Sequence, residues 1–446
     1  MLPKPPSCKG CPFYGDGKGF VPSDPGPNKF VLVVGQNPGA EEEATGQPFV
    51  GKTGQMQDRM YLPKAGLTRE DCNFDNVIRC RWKGSNDLPP VESKLFHDAL
   101  IHCTKAHGTV PPWTKIVVAT GDYATYGMTG QKMAQWRGWM LPWVGSKGYV
   151  QAGFFNSLWT PRLNGSLIPV LPTFHVAYLM RDPAMVPVAL ADWRKAGQYL
   201  QGKWPKACPP IEDHMPLGPG PISTFAFDTE FTPEGKLTRW SWALEASGLT
   251  YTMRRCGTVD WVPIPPLVLP PKVPIITQNV WADLDWLHKI FHVTDQQIHD
   301  TMLAHAVLFS DLPHDLDFLG SIYGSFNKWK HLYESNPVQY SALDALGTLD
   351  VWKGLWGEFK GDMKSWIVYN QYTRPLIPII HKAQKTGMKV NHTRLKEVIA
   401  RLSVEKMNAE GLAQAAVGYP INLASPTQVG HFLYDILGIK SGGKHA

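Results

Sequence analysis

The sequence predicts an α/β protein with two layered domains followed by a shorter helical segment. Short apolar runs typical of buried strands alternate with stretches of helical spacing, which favours layered α/β folds. A proline-rich stretch at residues 205–221 reads as a linker. The chain has 446 residues, 43% hydrophobic and 18% charged, which is enough apolar material for several cores and excludes wholesale disorder.

Each predicted element follows from a local pattern. Strands are expected before the linker at residues 30–34, 115–120 and 168–171, with a helix at 91–107, and after it at residues 224–228 and 239–244, with helices at 281–290, 300–309 and 341–359. In the tail, Asn391 and the run Ser425-Pro426-Thr427-Gln428 are typical helix starts, and Gly438 is a stop signal. The sequence therefore divides into residues 1–204, the linker 205–221, residues 222–362 and a helical segment 363–446.

Charge and cysteine content narrow the function without deciding it. The net charge of +6 divides into +8 over the first 206 residues and −2 over the rest. A basic first half suits contact with a polyanion such as DNA, although ordinary solvated surface explains it equally well. The sequence contains no signal peptide and no apolar run long enough to cross a membrane, so we expect a cytoplasmic protein without a disulfide framework.

Four segments of the first domain form one ordered set. The loop Gly35-Gln36-Asn37-Pro38-Gly39 follows a predicted strand, where α/β folds place ligands, although alone it could be a structural turn. The other segments are Gly46-Gln47-Pro48-Phe49-Val50-Gly51, Asn76-Val77-Ile78-Arg79-Cys80-Arg81 and Pro172-Thr173-Phe174-His175-Val176. Their order and composition resemble the family 4 uracil-DNA glycosylases, the iron–sulfur branch of that superfamily, over about residues 5–200.

The resemblance implies a role for each of these residues in extracting a flipped base. Phe49 would stack on uracil, Asn76 would read its N3–H and O4, and His175 would stabilise the departing anion. Asn37 resembles the water-positioning residue of the mismatch-specific uracil glycosylases. Gly35 and Gln36 would complete the base site, and Glu42 and Glu43 match a downstream acidic pair in the family, of which Glu42 is a candidate catalytic residue. Because the Gly35–Gly39 loop departs from the family pattern, a module that senses uracil or a modified pyrimidine without cutting is the alternative.

Four cysteines suggest a metal centre in the same domain. Cys8 and Cys11 form a Cys-x-x-Cys pair, and Cys80 and Cys103 follow later. Thiolates in this number can hold either zinc or an iron–sulfur cluster. The resemblance to the glycosylase family implies a [4Fe–4S] cluster, because all four positions match the family's ligands.

Carboxylates in three segments mark the second domain. Asp228 and Glu230 end a predicted strand on one face, where their charges would repel unless a cation lies between them, although an edge of solvated strand fits as well. Asp283 lies four residues after Asn279. Tyr340 lies one helical turn before Asp344, so both side chains can face one site. Together they resemble the ribonuclease H-like proofreading exonuclease of family A DNA polymerases. The resemblance implies two Mg²⁺ or Mn²⁺ ions held by Asp228, Glu230, Asp283 and Asp344, with Tyr340 orienting the attacking water.

Segments of the tail resemble the start of a family A polymerase domain. They are Arg374-Pro375-Leu376-Ile377-Pro378, Gly387-Met388-Lys389-Val390-Asn391 and Ile421-Asn422-Leu423-Ala424-Ser425-Pro426-Thr427-Gln428. An unrelated helical tail is the alternative. We therefore expect the front end of a DNA polymerase, with DNA and the remaining polymerase domain or other replication proteins as partners, and no polymerase activity from this sequence itself.

Overall fold

A computed structural model of the chain describes residues 2–15, 17–24, 26, 29–83, 87–107, 110–111, 113–141, 162–163, 166–215, 222–247, 252–261, 266–293 and 297–439. The chain separates into two compact units, Met1–Ile377 and Pro378–Ala446. The predicted α/β fold class with a helical C-terminal region is confirmed. Residues 216–221 of the predicted linker lie outside the described residues. Among the described residues, no helix has both the length and the apolar character that a membrane crossing needs.

The first domain is built on a four-stranded parallel sheet. Its strands are β1 (Val31–Gly35), β2 (Cys72–Asn76), β3 (Ile116–Thr120) and β4 (Val170–Thr173), in the spatial order β2–β1–β3–β4. Val33 faces one hydrophobic core and Val34 faces the other, as the two-residue period of a strand requires. Because the strands are parallel, their carboxyl ends share one edge of the sheet, where Gly35 is paired with Asn76.

Helices connect these strands. They are α1 (Ala40–Thr45), α2 (Lys52–Met56), α3 (Lys94–His107), α4 (Asp122–Thr129), α5 (Met133–Trp136), α6 (Val176–Leu179) and α7 (Val186–Leu200). Helix α2 continues into a π-helical turn at Gln57–Tyr61 and a 3-10 turn at Leu62–Ala65. Two short antiparallel ladders pair Gly17–Lys18 with Arg81–Trp82 and Arg162–Leu163 with Ser166–Leu167.

The second domain is built on a mixed six-stranded sheet. Its strands are β5 (Ile211–Glu212), β6 (Ile222–Phe231), β7 (Leu237–Ser247), β8 (Thr252–Asp260), β9 (Ile275–Thr277) and β10 (Ile298–Asp300). Their spatial order is β10–β9–β6–β7–β8–β5, with antiparallel pairing on both sides of β7. A short parallel ladder joins Leu267–Val268 to Phe291–His292. Strand β6 is central, so its acidic residues lie in the middle of the domain.

Four helices surround this sheet, α8 (Val280–Ile290), α9 (Thr301–Leu308), α10 (Leu316–Tyr323) and α11 (Pro337–Gly361). The sequence placed residues 363–377 with the tail, but they fold onto this domain as α12 (Met363–Ile367) and a π-helical turn at Val368–Thr373. The backbone N–H of Asp300 donates to the hydroxyl of Tyr369 over 3.0 Å, which joins that segment to the end of β10.

The C-terminal unit is helical. Helix α13 (Leu376–Thr386) leads into it, and α14 (His392–Val417) and α15 (Pro426–Gly430) follow. The predicted helix start at Asn391 is confirmed, because its side chain accepts the N–H of Arg394 over 3.0 Å. The predicted helix start at Ser425 is also confirmed, because its side chain accepts the N–H of Gln428, while the Gln428 side chain accepts from the N–H of Asn422.

Candidate glycosylase and nuclease sites

A cavity of about 550 Å³ opens at the carboxyl edge of the first sheet. Six of the predicted site residues line it: Gln36, Asn37, Glu42, Phe49, Asn76 and His175. The loops after β1, β2 and β4 carry or adjoin most of these side chains, so the parallel topology brings together residues that are far apart in sequence.

Gly35 lets three parts of this cavity meet. A Cβ atom at this position would lie 2.6 Å from Oδ1 of Asn76 and 2.8 Å from Cζ of Phe49. Both distances are far below van der Waals contact, so any larger residue would push the aromatic ring or the amide out of place. Gly35 therefore leaves the space that the Phe49 ring and the Asn76 amide occupy.

Phe49 has a left-handed backbone with φ of +56°. For a bulky non-glycine residue this conformation costs about 1–3 kcal/mol and needs support from its surroundings. Arg69 supplies that support by donating to the carbonyl oxygens of Phe49 over 3.0 Å and of Pro48 over 2.9 Å. Asp58 pairs with the same guanidinium at 3.0 Å, and the Phe74 ring lies against it.

His175 is held as a neutral hydrogen-bond donor. Its Nδ1 accepts the backbone N–H of Ala177 over 3.2 Å, which leaves the ring proton on Nε2. Burial, with the charge of Arg181 nearby, lowers the pKa of His175 to about 4. The ring therefore stays neutral at physiological pH, with Nε2 as its only donor.

Asn37 and Glu42 differ in how their oxygens are satisfied. Oε1 of Glu42 accepts the N–H of Gly51 over 2.9 Å, which ties helix α1 to the start of α2. Oδ1 of Asn37 is buried and accepts no hydrogen bond from any described residue. A buried acceptor in that state costs about 1–3 kcal/mol unless water or ligand satisfies it.

The four predicted cysteine ligands line a second, smaller cavity: Cys8, Cys11, Cys80 and Cys103. Burial raises the pKa of Cys80 to about 11 and that of Cys103 to about 12, so these groups are stable as thiolates only beside positive charge. Lys4 stabilises the N-terminal segment beside this cavity, because its Nζ donates to the carbonyls of Phe13 and Tyr14, each over 2.7 Å.

The spacing of the sulfurs bears on which metal they suit. A tetrahedral zinc ion with bonds of about 2.3 Å brings its sulfurs to about 3.8 Å from one another. Among the described residues, no three of the cysteine sulfurs lie within 4.8 Å of one another. As placed, the thiols do not form the tight set that one zinc ion needs, and four thiols around one cavity also suit an iron–sulfur cluster.

Three of the predicted acidic ligands converge in the second domain. Asp228, Glu230 and Asp344 place carboxylate oxygens within 4.8 Å of one another. Burial and the carboxylates of Asp283 and Asp344 raise the pKa of Asp228 well above its ordinary value, and burial with Asp344 raises that of Glu230 to about 7. Carboxylates this close disfavour full ionisation unless a cation offsets their repulsion, so the donor set fits a divalent metal.

Asp283 stands just outside this group. It lies on α8, where Oδ1 accepts a short hydrogen bond from the hydroxyl of Thr229. Burial raises the pKa of Asp283 to about 8, and Glu230 is among the charges that contribute. Its carboxylate is therefore near the three converging carboxylates, but it is not one of those whose oxygens lie within 4.8 Å of one another.

Two residues that the sequence did not single out hold Asp344 in place. Nε1 of Trp329 donates to Oδ1 of Asp344 over 2.5 Å, and Nζ of Lys330 donates to the same oxygen over 2.7 Å. Lys330 also donates to the hydroxyl of Tyr340 over 3.2 Å. Lys330 and Trp329 could not be recognised from the sequence, because a lysine beside a tryptophan is not a motif with a defined chemical role.

Comparisons with known proteins agree with both domains. Residues 22–201 match the uracil DNA glycosylase superfamily, and residues 219–360 match the 3′–5′ exonuclease family of DNA polymerase A type. The type-4 uracil-DNA glycosylase of Pyrobaculum aerophilum is 37% identical over 179 residues, which cover 40% of this chain and 82% of that protein. The type-4 enzyme of Thermotoga maritima is 27% identical over 199 residues, covering 44% and 90%.

The second part of the chain has relatives of another kind. DNA polymerase I of Pseudomonas aeruginosa is 30% identical over 158 residues, which cover 32% of this chain and 17% of that protein. The chain thus spans about a sixth of that polymerase.

The folds and sites together define a DNA-repair protein with a uracil-DNA glycosylase domain and a 3′–5′ exonuclease domain. The chain belongs to the uracil-DNA glycosylase superfamily, among its type-4 members, and carries a fused 3′–5′ exonuclease domain of DNA polymerase A type.

Proposed function

We propose that the first domain excises uracil from DNA by hydrolysing the N-glycosidic bond, and that the second removes nucleotides from DNA 3′ ends. The observation that carries the first activity is the common cavity shared by Phe49, Asn76 and His175. The observation that carries the second is the convergence of Asp228, Glu230 and Asp344.

In the glycosylase cavity, each side chain has one task toward a flipped uracil. The Phe49 ring stacks on the base, and the Asn76 amide accepts from N3–H and donates to O4. Nε2–H of His175 donates to O2, where negative charge grows as the bond breaks. A neutral donor suits this task, because the hydrogen bond from Ala177 already fixes which nitrogen holds the proton.

Asn37 and Glu42 supply the water for this reaction. The unsatisfied Oδ1 of Asn37 suits a group that accepts a hydrogen bond from the attacking water and directs it at the sugar. Glu42 reaches the same cavity with a carboxylate anchored on Gly51, so it can take up the proton that the water releases.

Cleavage of a uracil-containing oligonucleotide after alkali treatment tests the glycosylase proposal. An abasic product breaks under alkali, so the wild-type chain should give a break at the uracil position. Asn37→Ala should lose it, while Gln47→Ala, an exposed change in the neighbouring segment, should not. Tight binding without any alkali-labile break would instead favour a domain that senses uracil.

The four cysteines would hold a [4Fe–4S] cluster. Cys8 and Cys11 belong to the N-terminal segment, Cys80 follows β2, and Cys103 lies on α3. Covalent iron–sulfur bonds from all four would cross-link these elements. We assign the cluster a structural role, since the residues that line its cavity do not line the glycosylase cavity.

In the nuclease, Asp228, Glu230, Asp283 and Asp344 would hold two divalent ions, Mg²⁺ or Mn²⁺. Such ions stabilise the charge that develops when a phosphodiester is hydrolysed. The Tyr340 hydroxyl, one helical turn from Asp344, would orient the attacking water. Lys330 anchors that hydroxyl and Asp344 together, so both hold their positions without help from substrate.

Release of nucleotides from a 5′-labelled DNA strand tests the nuclease proposal. The wild-type chain should produce a ladder shortened from the 3′ end, and Asp228→Ala with Glu230→Ala should abolish it. Asp260→Ala removes an exposed acid at the end of β8 and should leave digestion intact. Persistent digestion by the double variant would refute the assignment of the metal site.

We further propose that residues 363–446 connect these activities to a family A polymerase domain. Several large apolar side chains of this segment are exposed, including Ile379, Ile399, Leu402 and Met407. They give the helices apolar surface that further polymerase structure could cover.

A further inference from the structure

The two enzyme domains share a buried interface. On the glycosylase side it comprises residues 137–140, between α5 and β4, and on the exonuclease side residues 320–329, at the end of α10 and in the loop after it. Arg137 donates a short hydrogen bond to the hydroxyl of Ser321, and Nδ2 of Asn327 donates to the carbonyl of Met140 over 2.7 Å. The paired residues are 184 and 187 positions apart in sequence, so both contacts form only when both domains are folded.

Buried charges reinforce this interface. Arg137 pairs with Asp192 of α7 at 2.7 Å, and Nζ of Lys195 donates to the carbonyl of Ser321 over 2.7 Å. All three charged side chains are almost fully shielded from solvent. Breaking one partner of such a buried set is strongly destabilising, so the interface resembles a domain core more than a hinge between mobile domains.

Two tryptophans lie at its centre. The rings of Trp139 and Trp329 meet edge to face, with centroids 5.7 Å apart and planes at 90°. Each side chain is 1% exposed. A Cβ atom at Gly320 would lie 2.9 Å from the Trp329 ring and 3.2 Å from the Trp139 ring, so the backbone of α10 packs closely against both indoles.

The same Trp329 reaches the exonuclease site. Its ring packs against Trp139 of the glycosylase domain, while its Nε1–H donates to Oδ1 of Asp344 over 2.5 Å. Groups that hydrogen-bond to a metal ligand orient it, and removing them typically weakens metal affinity or activity about 10–100-fold. A carboxylate of the nuclease is thus oriented by an indole whose position depends on the other domain.

We propose that Trp139 of the glycosylase domain is a positioning residue for the exonuclease, acting through Trp329 on Asp344. This inference rests on the proposed role of Asp344 as a metal ligand. It makes the glycosylase domain a structural part of the nuclease, rather than an independent enzyme on the same chain. Asp344 and Trp329 do not line the glycosylase cavity, so we expect uracil excision to continue without the contact.

The test compares variants of the full chain in three measurements: the turnover rate of the exonuclease, the affinity for Mn²⁺ from the paramagnetic resonance signal of the free ion, and uracil excision. Trp139→Ala should lower exonuclease turnover and weaken Mn²⁺ binding, each about tenfold or more, with uracil excision unchanged. Trp139→Phe keeps an aromatic edge against Trp329 and should restore most of both losses. Trp329→Phe keeps the packing but removes the N–H donor, and should reproduce the Trp139→Ala defect.

Two controls separate positioning from instability. Leu100→Ala opens a cavity in the glycosylase core away from the interface, so it should lower the melting temperature without changing Mn²⁺ affinity. Asp344→Ala should abolish digestion, and full activity in that variant would refute the proposed nuclease site itself. If Asp344→Ala is inactive while Trp139→Ala and Trp329→Phe both bind Mn²⁺ and digest DNA like the wild type, the positioning role is overturned and the nuclease site stands.

Discussion

The guanidinium of Arg69 donates to the carbonyl oxygen of Phe49 over 3.0 Å and so supports a phenylalanine whose φ is +56°. The cavity needs this unusual backbone, because it turns the ring toward Gly35 and Asn76. The strained residue and its support lie 20 positions apart in sequence. The aromatic floor of the glycosylase cavity is therefore a property of the folded domain rather than of its motif.

Removing this support should impair uracil excision selectively. Arg69→Ala takes away donors to two carbonyls while Phe49 keeps a backbone that costs about 1–3 kcal/mol, so the ring should leave its stacking position. We expect kcat/KM for uracil excision to fall about 10–100-fold, the loss that about 1.4–2.7 kcal/mol produces. Exonuclease activity should be unaffected. Arg59→Ala, an exposed change in the same region, is the matched control, and equal activity of the two variants would contradict this role.

Uracil excision should show no inflection at the ordinary histidine pKa. The pKa of His175 is lowered to about 4 by burial, so the ring is neutral throughout the range from about pH 5.5 to 8. Protonation would occupy Nδ1 and break the hydrogen bond from Ala177, so the rate should fall only as the pH approaches 4. The pH profile of kcat/KM checks this. A fall centred near the ordinary histidine pKa of about 6.5 that disappears in His175→Gln would show that the ring titrates normally.

Folding stability should respond to the same titration. Because the pKa of His175 is lower in the folded chain than in the unfolded chain, the unfolded chain binds more protons between about pH 4 and 6.5. The contribution of this histidine is therefore fully present above about pH 6.5 and is lost as the pH falls toward 4. Melting temperatures of the wild type and His175→Gln should differ in their pH dependence over that interval, and parallel curves would contradict the lowered pKa.

Iron content should depend on the four cavity cysteines and on no other thiol tested. Cys8→Ser, Cys11→Ser, Cys80→Ser or Cys103→Ser should each lower the iron bound per chain and the visible absorption of anaerobically purified protein. Cys256→Ala changes a buried thiol of β8 and should keep both signals. Zinc in place of iron, at one ion per chain, would overturn the cluster assignment.

Removing divalent ions should separate the two activities. A chelator should stop exonuclease digestion while uracil excision continues, since no carboxylate of the nuclease group lines the glycosylase cavity. Added Mn²⁺ should also raise the melting temperature of the wild type, because a ligand that binds only the folded chain stabilises it. The Asp228→Ala, Glu230→Ala double variant should show no such shift, and an undiminished shift would place the ions elsewhere.

The sequence predicted local features well where one pattern dominated. The apolar run of β1 and the strand that holds Asp228 and Glu230 are both in place, because continuous apolar runs in the sequence predict strands that are buried on both faces. Strand β8 was missed. It contains Arg254, Arg255 and Gly257, which disfavour strands locally, and it forms because β7 pairs along it.

Long-range support could not be predicted from spacing. Arg69 acts on a backbone 20 residues away, and Trp139 meets a partner on another domain. Neither residue belongs to a sequence motif, because the supporting contact of each depends only on where the fold places it. The strand predicted at residues 168–171 is found at Val170–Thr173, where its backbone pairs with Val117–Thr120 of β3. Because Thr173 is polar, a search for apolar runs does not recognise the carboxyl end of this strand.

One experiment tests most directly the claim that two separate catalytic sites share this chain. A 5′-labelled DNA strand with a single internal uracil is incubated with Mg²⁺ and each protein, and the products are resolved before and after alkali. The wild type should give both a 3′-shortened ladder and an alkali-labile break. His175→Ala should keep the ladder and lose the break, and the Asp228→Ala, Glu230→Ala variant should keep the break and lose the ladder. Loss of both products in either variant, or of neither, would contradict the account.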